Sequence, residues 1–160
     1  MLLKPSYIIN GDITDIDLDE LFAAGIRALI LDLDSTLVAP RSGVVTDDVA
    51  NWLTTAKSQF KLTVLSNNLK KEYVEQIADI LKIPVMGCAV KPRRGGFLKA
   101  AMVMGVAPDK VAVVGDRPLT DILGGARAGM KTVLVLPLKT MNESVLVKYI
   151  RKLERLVVRS

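Results

Sequence analysis

With 160 residues, half of them hydrophobic and only 4% aromatic, the chain has the length for a single domain that removes about 70% of its unfolded surface from water. That composition fits an aliphatic α/β core and excludes a disordered or disulfide-built chain. The absence of histidine and the single cysteine, Cys88, rule out intramolecular disulfides, the usual zinc ligand sets and histidine-assisted nucleophiles, so acid–base work falls to carboxylates, Lys or Tyr. Cys88, beside Val85, Met86 and Ala89, reads as a small buried hydrophobe. A net charge of +5, from 22 basic and 17 acidic side chains, favours anionic partners: phosphate esters, nucleic acid or lipid headgroups.

At the amino end, Leu2, Leu3, Tyr7, Ile8 and Ile9 form an apolar cluster beside Lys4. It is too short for a signal peptide or a membrane span, and it suits either an interface or a sheet edge. A cytoplasmic protein is expected, with peripheral membrane contact as an option. The apolar run Ala28-Leu29-Ile30-Leu31 then leads into Asp32-Leu33-Asp34-Ser35-Thr36-Leu37. Two carboxylates stand where a strand runs out, and a turn after Asp32 brings both to one cleft. Asp-x-Asp also occurs in ordinary loops, where Asp34 would cap a turn.

Further along, 62–65, 84–86, 111–114 and 132–136 read as strands like 28–31, and 46–60, 69–81, 96–104 and 119–128 read as helices. The alternation predicts an α/β fold, a three-layer doubly wound parallel sheet without a second domain across 1–160. Trp52 reads as a packing residue of the first of these helices. Each strand ends in polar groups: Asp32 to Thr36, Ser66-Asn67-Asn68, Lys91-Pro92 and Gly115-Asp116. In such sheets ligands bind outside the carboxyl ends of the strands, so these groups converge on one crevice.

Together these residues point to phosphoryl transfer through a covalent intermediate. Asp32 is the expected nucleophile. Asp34 is the expected acid and base, its carbonyl also available to a cation. Asp116, with Asp121 in the next turn, adds carboxylates for Mg²⁺, although Asp121 equally suits a helix dipole. Ser66 and Asn67, with Thr36, are the candidates for binding substrate phosphate, although Ser-Asn-Asn alone is an ordinary turn or N-cap. Lys91 offers a point charge to phosphate and nucleophile, a signal that carries weight only in company.

The segments Asp-Leu-Asp-Ser-Thr, Ser-Asn-Asn, Lys91-Pro92 and Gly-Asp-x-x-x-x-Asp, in this order over about residues 26–137, resemble the haloacid dehalogenase (HAD) superfamily of phosphatases. The resemblance implies Asp32 as nucleophile, Asp34 as acid–base and carbonyl ligand, Ser66 and Lys91 as phosphate binders, and Asp116 as Mg²⁺ ligand supported by Asp121. Superfamily ATPases carry Thr in place of the second Asp, so Asp34 implies phosphatase chemistry. Neither 37–61 nor 69–90 has room for a cap domain. The pattern is similar to the capless phosphatidylglycerophosphate phosphatase branch, which implies a lipid phosphate as substrate. A phosphatase for a soluble nucleotide, sugar or protein phosphate is the alternative. Nucleic acid is not expected as a partner, given few aromatics and no base-stacking motif.

The last segment, about 142–158, reads as an amphipathic helix with Asn142 as N-cap and Glu143 in its first turn. Val145, Leu146, Tyr149, Ile150, Leu153, Leu156 and Val157 fall on one side, and Lys148, Arg151, Lys152, Arg155 and Arg159 on the other. The first expectation is that the apolar side packs on the chain's own sheet, with a solvated basic side that contributes nothing to the crevice. Docking on an anionic membrane surface or on a second copy are the alternatives.

Overall fold

The computed structural model describes residues 2–40, 42–138 and 144–159. Six strands, β1 (Tyr7–Ile8), β2 (Ala28–Leu31), β3 (Lys61–Leu65), β4 (Val85–Met86), β5 (Val111–Gly115) and β6 (Lys131–Leu134), form one sheet in the order β1-β6-β5-β2-β3-β4. Every pairing is parallel. The helices are α1 (Leu18–Ala23), α2 (Asp47–Gln59), α3 (Lys71–Leu81), α4 (Arg94–Met104), α5 (Leu123–Arg127) and α6 (Val145–Arg155).

Along β2 successive side chains serve opposite faces. Leu29 and Leu31 join Trp52, Leu53 and Ile77 in one cluster, while Ala28 and Ile30 join Phe97, Ala100 and Met104 in the other. A strand covered on both faces must be apolar throughout, which is why 28–31 carries no polar alternation. The result is the expected three-layer doubly wound sheet. Its order reverses at β2, which has β3 on one side and β5 on the other.

Local signals explain the element ends. Thr46 caps α2, its hydroxyl accepting from Val49 N, and Asp47 and Asp48 occupy the positive first turn. The stretch expected as one helix from 119 to 128 is divided into a π turn over Pro118–Ile122 and the short α5. Pro118 supplies no N–H, and the wide turn carries Asp121 inward. A Cβ on Gly124 would come within 2.3 Å of the Phe97 ring, so the small residue there allows α5 to meet α4. Two elements lay outside the expectation. β1 holds only two residues, which pair with Val133 and Leu134 and so place the amino-terminal apolar cluster at the sheet edge. The six-residue α1 is capped by Asp17. Both are too short to show a period.

Two further expectations are corrected. Cys88 is exposed. The chain turns back after β4, Cys88 N donates to Asn68 O at 3.1 Å, and Ala89 rather than Cys88 enters the core. The larger correction concerns α6. Asn142 and Glu143 lie outside the described residues, and Ser144 caps the helix by accepting from Val147 N. Arg151 and Glu154 are its buried residues, whereas Val145, Leu146, Tyr149, Leu153 and Leu156 are exposed. The helix therefore sits with Arg151 and Glu154 inward and its apolar side outward, while Lys148 and Lys152 stay exposed. Both apolar sheet faces are already occupied by other helices, and α6 lies instead at the polar carboxyl ends of the strands, where Asp116 attracts Arg151.

Phe97, fully buried between sheet and α5, is the largest side chain of its layer. Phe97→Ala should lower the free energy of unfolding by about 3–5 kcal/mol in urea titration. A loss below about 1 kcal/mol would mean that this layer does not hold the β5–α5 segment.

Candidate active site

The turn after β2 sets the first part of the site. Leu33 points into the core, so Asp32 and Asp34, on either side of it, remain partly accessible. The backbone then folds tightly: Ser35 N donates to Val38 O at 2.7 Å, Leu37 N to Leu33 O at 2.9 Å, and Ser35 takes a positive φ of 70°. This turn buries Thr36. Its hydroxyl donates to Asp116 Oδ1 at 3.2 Å and lies 3.4 Å from Asp32 Oδ2.

From the neighbouring strand ends come the other charges. Lys91 Nζ donates to Asp32 Oδ1 at 2.5 Å and to Asp121 Oδ1 at 2.7 Å. Asn67 holds the Lys91 backbone from both sides, accepting from its N–H at 2.7 Å and donating to its carbonyl at 3.3 Å. Asp121 Oδ2 accepts from Arg117 N at 3.3 Å. Gly115 makes this possible: a Cβ there would come within 2.4 Å of Asp121 Cγ. Ser66 is buried, and its hydroxyl accepts from Asn68 N at 3.0 Å.

Asp32, Asp116 and Asp121 each offer an oxygen within 4.8 Å of the others. So much negative charge in so little space has a consequence: burial, and next the charge of Asp32, push Asp121 up to about 6 against the downward pull of Lys91. The same two carboxylates outweigh burial at Lys91 and raise it above its ordinary value. A set of hard carboxylate oxygens in this spacing suits Mg²⁺. Asp34 stands outside the trio and lines the crevice above it.

The crevice holds about 390 Å³ and is lined by Asp32, Asp34, Ser66, Asn67 and Lys91, with Thr36, Asp116 and Asp121 buried beneath. Arg117, Val147 and Arg151 line it too. Arg151 forms an ion pair with Asp116. Arg117 grips Glu154 with two hydrogen bonds, Nη2 to Oε1 at 2.6 Å and Nε to Oε2 at 3.2 Å, and Arg155 Nη2 donates to Val135 O at 2.9 Å. The basic side of α6 thus does contribute to the crevice, against the expectation. Arg151 and Glu154 had no motif to mark them; the one available signal was their position three residues apart on the charged side. A shallower hollow of about 600 Å³ beside α1 and α2 contains Asp17, Asp19 and Asp48 but no Lys or Arg, and so offers a phosphate nothing to bind.

A parallel sheet with carboxylates and a lysine gathered at its switch point is the frame of a hydrolase whose chemistry runs on acids. Residues 89–152 match the HAD-hydrolase-like family model. The chain is 31% identical to "Probable phosphatase YqeG" of Bacillus subtilis over 141 residues, covering 88% of this chain and 81% of that protein. It is 29% identical over 157 residues to the Arabidopsis thaliana chloroplastic/mitochondrial phosphatidylglycerophosphate phosphatase 1, covering 92% of this chain and 45% of that protein. Among solved structures, an uncharacterized protein of Listeria monocytogenes serotype 4b superposes with a TM-score of 0.59 at 16% identity, over 82% of this chain and 98% of that one. The chain belongs to the HAD-like phosphatases, and the described residues carry no cap over the crevice.

Lys91, buried between two carboxylates, is the charge whose loss the fold should feel most. Lys91→Met should destabilise the protein by about 3–5 kcal/mol in chelator-containing buffer, because it leaves buried acids uncompensated. Unchanged thermal unfolding would show that the acids find compensation elsewhere.

Proposed function

We propose that this HAD-like phosphatase is a Mg²⁺-dependent phosphomonoesterase that removes the terminal phosphate from phosphatidylglycerophosphate, leaving phosphatidylglycerol. The observation that carries the chemistry is the contact of Lys91 Nζ with Asp32 at 2.5 Å at the floor of an open crevice. A lysine there places a positive charge beside the Asp32 carboxylate and draws a phosphate toward it.

In this reading Asp32 attacks phosphorus and the ester P–O bond breaks, while Asp34 gives its proton to the leaving alcohol. Asp34, now ionised, takes a proton from water as that water attacks the phosphorus of the aspartyl-phosphate. Inorganic phosphate leaves, and Asp32 and Asp34 regain their starting forms. Ser66, Asn67 and Lys91 bind and orient the phosphate oxygens, the backbone N–H groups of the turn before α3 adding donors, whereas Thr36, expected among the phosphate binders, is buried beneath the crevice and orients Asp32 and Asp116 through its hydroxyl. Asp32, Asp116 and Asp121, with the Asp34 carbonyl, would hold Mg²⁺, which supplies charge compensation between an anionic nucleophile and an anionic phosphate. Arg151 and Arg117 add positive charge at the crevice wall, suited to a substrate with a second anionic group.

The lipid substrate is supported by the uncapped crevice, which leaves room for a headgroup still attached to its acyl chains, by the net charge of +5, and by the similarity to the Arabidopsis enzyme. Asp32→Asn and Asp34→Asn should each lower turnover by more than about 10³-fold with an unchanged far-UV spectrum. Chelation should silence the wild type, and Mg²⁺ should restore it. In a substrate panel, phosphatidylglycerophosphate should be cleaved faster than nucleotide, sugar and protein phosphates. Faster release from a soluble ester would overturn the lipid assignment and leave the phosphatase class in place. Full activity of the Asp32 variant would overturn the covalent route.

A further inference from the structure

We infer that the outer side of α6, together with the loops around the crevice mouth, is a docking surface for an anionic lipid bilayer; its purpose rests on the lipid reading above, but its observations do not. On α6, Val145 is 85% exposed, Leu156 71%, Leu146 68% and Tyr149 60%. At 100° per residue these positions span one continuous side of the helix. The helix is fixed in this attitude from behind, by the Arg117–Glu154 and Arg151–Asp116 pairs and by the Arg155 bond to Val135 O. The apolar side faces outward because the charged side is anchored.

The stripe does not stand alone. Three strand-to-helix connections at the same edge of the sheet each present a large apolar side chain: Val44 before α2 is 64% exposed, Leu69 before α3 79%, and Val90 before α4 56%. These connections surround the crevice, since helices that follow parallel strands begin at the strands' carboxyl ends. Among the described residues no helix is long and apolar enough to cross a membrane, so the geometry is that of a helix lying in an interface.

Charge selects the occupant. Lys148 and Lys152 are exposed one turn apart beside the stripe, Lys70 adjoins Leu69, and Arg93 and Arg94 lie near Val90, all exposed. A negatively charged lipid surface satisfies both the apolar groups and their basic border. A second copy docked through the same patch would add a second basic border around the same interface without supplying any negative charge to it, whereas an anionic lipid surface meets that border with opposite charge. The crevice mouth then lies within about 10 Å of the bilayer, one helix diameter, and Val147 and Arg151 line it from the inner side of the same helix.

The test uses the full chain without any phosphatase substrate: co-sedimentation with vesicles of phosphatidylcholine alone, and of phosphatidylcholine mixed equally with phosphatidylglycerol. The wild type should pellet with the mixed vesicles only, and added salt should release it. The double variant Leu146→Glu, Leu153→Glu should bind at least about tenfold more weakly, and Lys148→Glu, Lys152→Glu should also bind more weakly. Both should hydrolyse p-nitrophenyl phosphate at the wild-type rate, which shows that they are folded. Wild-type indifference to the mixed vesicles, undiminished binding by the Leu variant, or a wild-type dimer that the Leu variant dissolves would each overturn the inference. Vesicle binding without cleavage of phosphatidylglycerophosphate would sink the substrate reading and spare the docking surface. Cleavage of a short-chain soluble form without vesicle binding would do the reverse.

Discussion

The constraint on which the rest depends is electrostatic. Asp32, Asp116 and Asp121 crowd together at the strand ends, two of them fully buried, and carboxylates in that position repel one another and need cations beside them. Lys91 and Arg151 are the cations on hand. Much of the local architecture serves to hold those two. Asn67 fixes the Lys91 backbone, the absent Cβ of Gly115 admits Asp121, and the Arg117–Glu154 pair sets the rotation of α6 that brings Arg151 to Asp116. A buried ion network adds little to stability by itself but strongly penalises arrangements that leave a member unpaired. It therefore selects one geometry more than it strengthens the fold.

That geometry is usable because the apolar layers beneath it do the stabilising. Two clusters, one on each side of the sheet, seat β2 and β5 next to each other in register from Ala28 with Val111 to Leu31 with Val114. Asp32 and Asp116 follow directly from strands locked in this way. Side chains carried on rigid elements are held more accurately than side chains on free loops, and among the described residues no cap stands over the crevice. The helix α6 adds Val147 and Arg151 to the crevice wall.

How much could be read in advance follows from the kind of signal each feature leaves. The central strand at 28–31 appears at those limits because a strand buried on both faces needs an unbroken apolar run. The grouping of Asp32, Asp34, Ser66, Asn67 and Lys91 in one crevice follows from strand ends and sheet topology, both of which leave traces in the order of residues. β1 and α1 left none, being too short for their period to repeat often enough to be recognised. The orientation of α6 was misread for a different reason. Amphipathic patterning says which side of a helix is apolar, and the inference that this side goes inward assumes an apolar surface to receive it. Here the receiving surface is polar, made by Asp116, Arg117 and the Val135 carbonyl, and only the assembled tertiary structure reveals that. Cys88 was misread on similar grounds, its apolar neighbours outweighing a turn in the backbone that composition does not record.

Leu3 pairs with Val158, and hydrogen bonds join Leu3 to both Val157 and Arg159. The seam stitches together the segments farthest apart in the sequence. Closing a contact of that span costs more loop entropy than the contacts within one helix. The seam also ties the end of α6 to the segment that precedes β1, so the amino terminus of the chain helps to hold Arg151 against Asp116 although neither Leu3 nor Val158 touches the crevice.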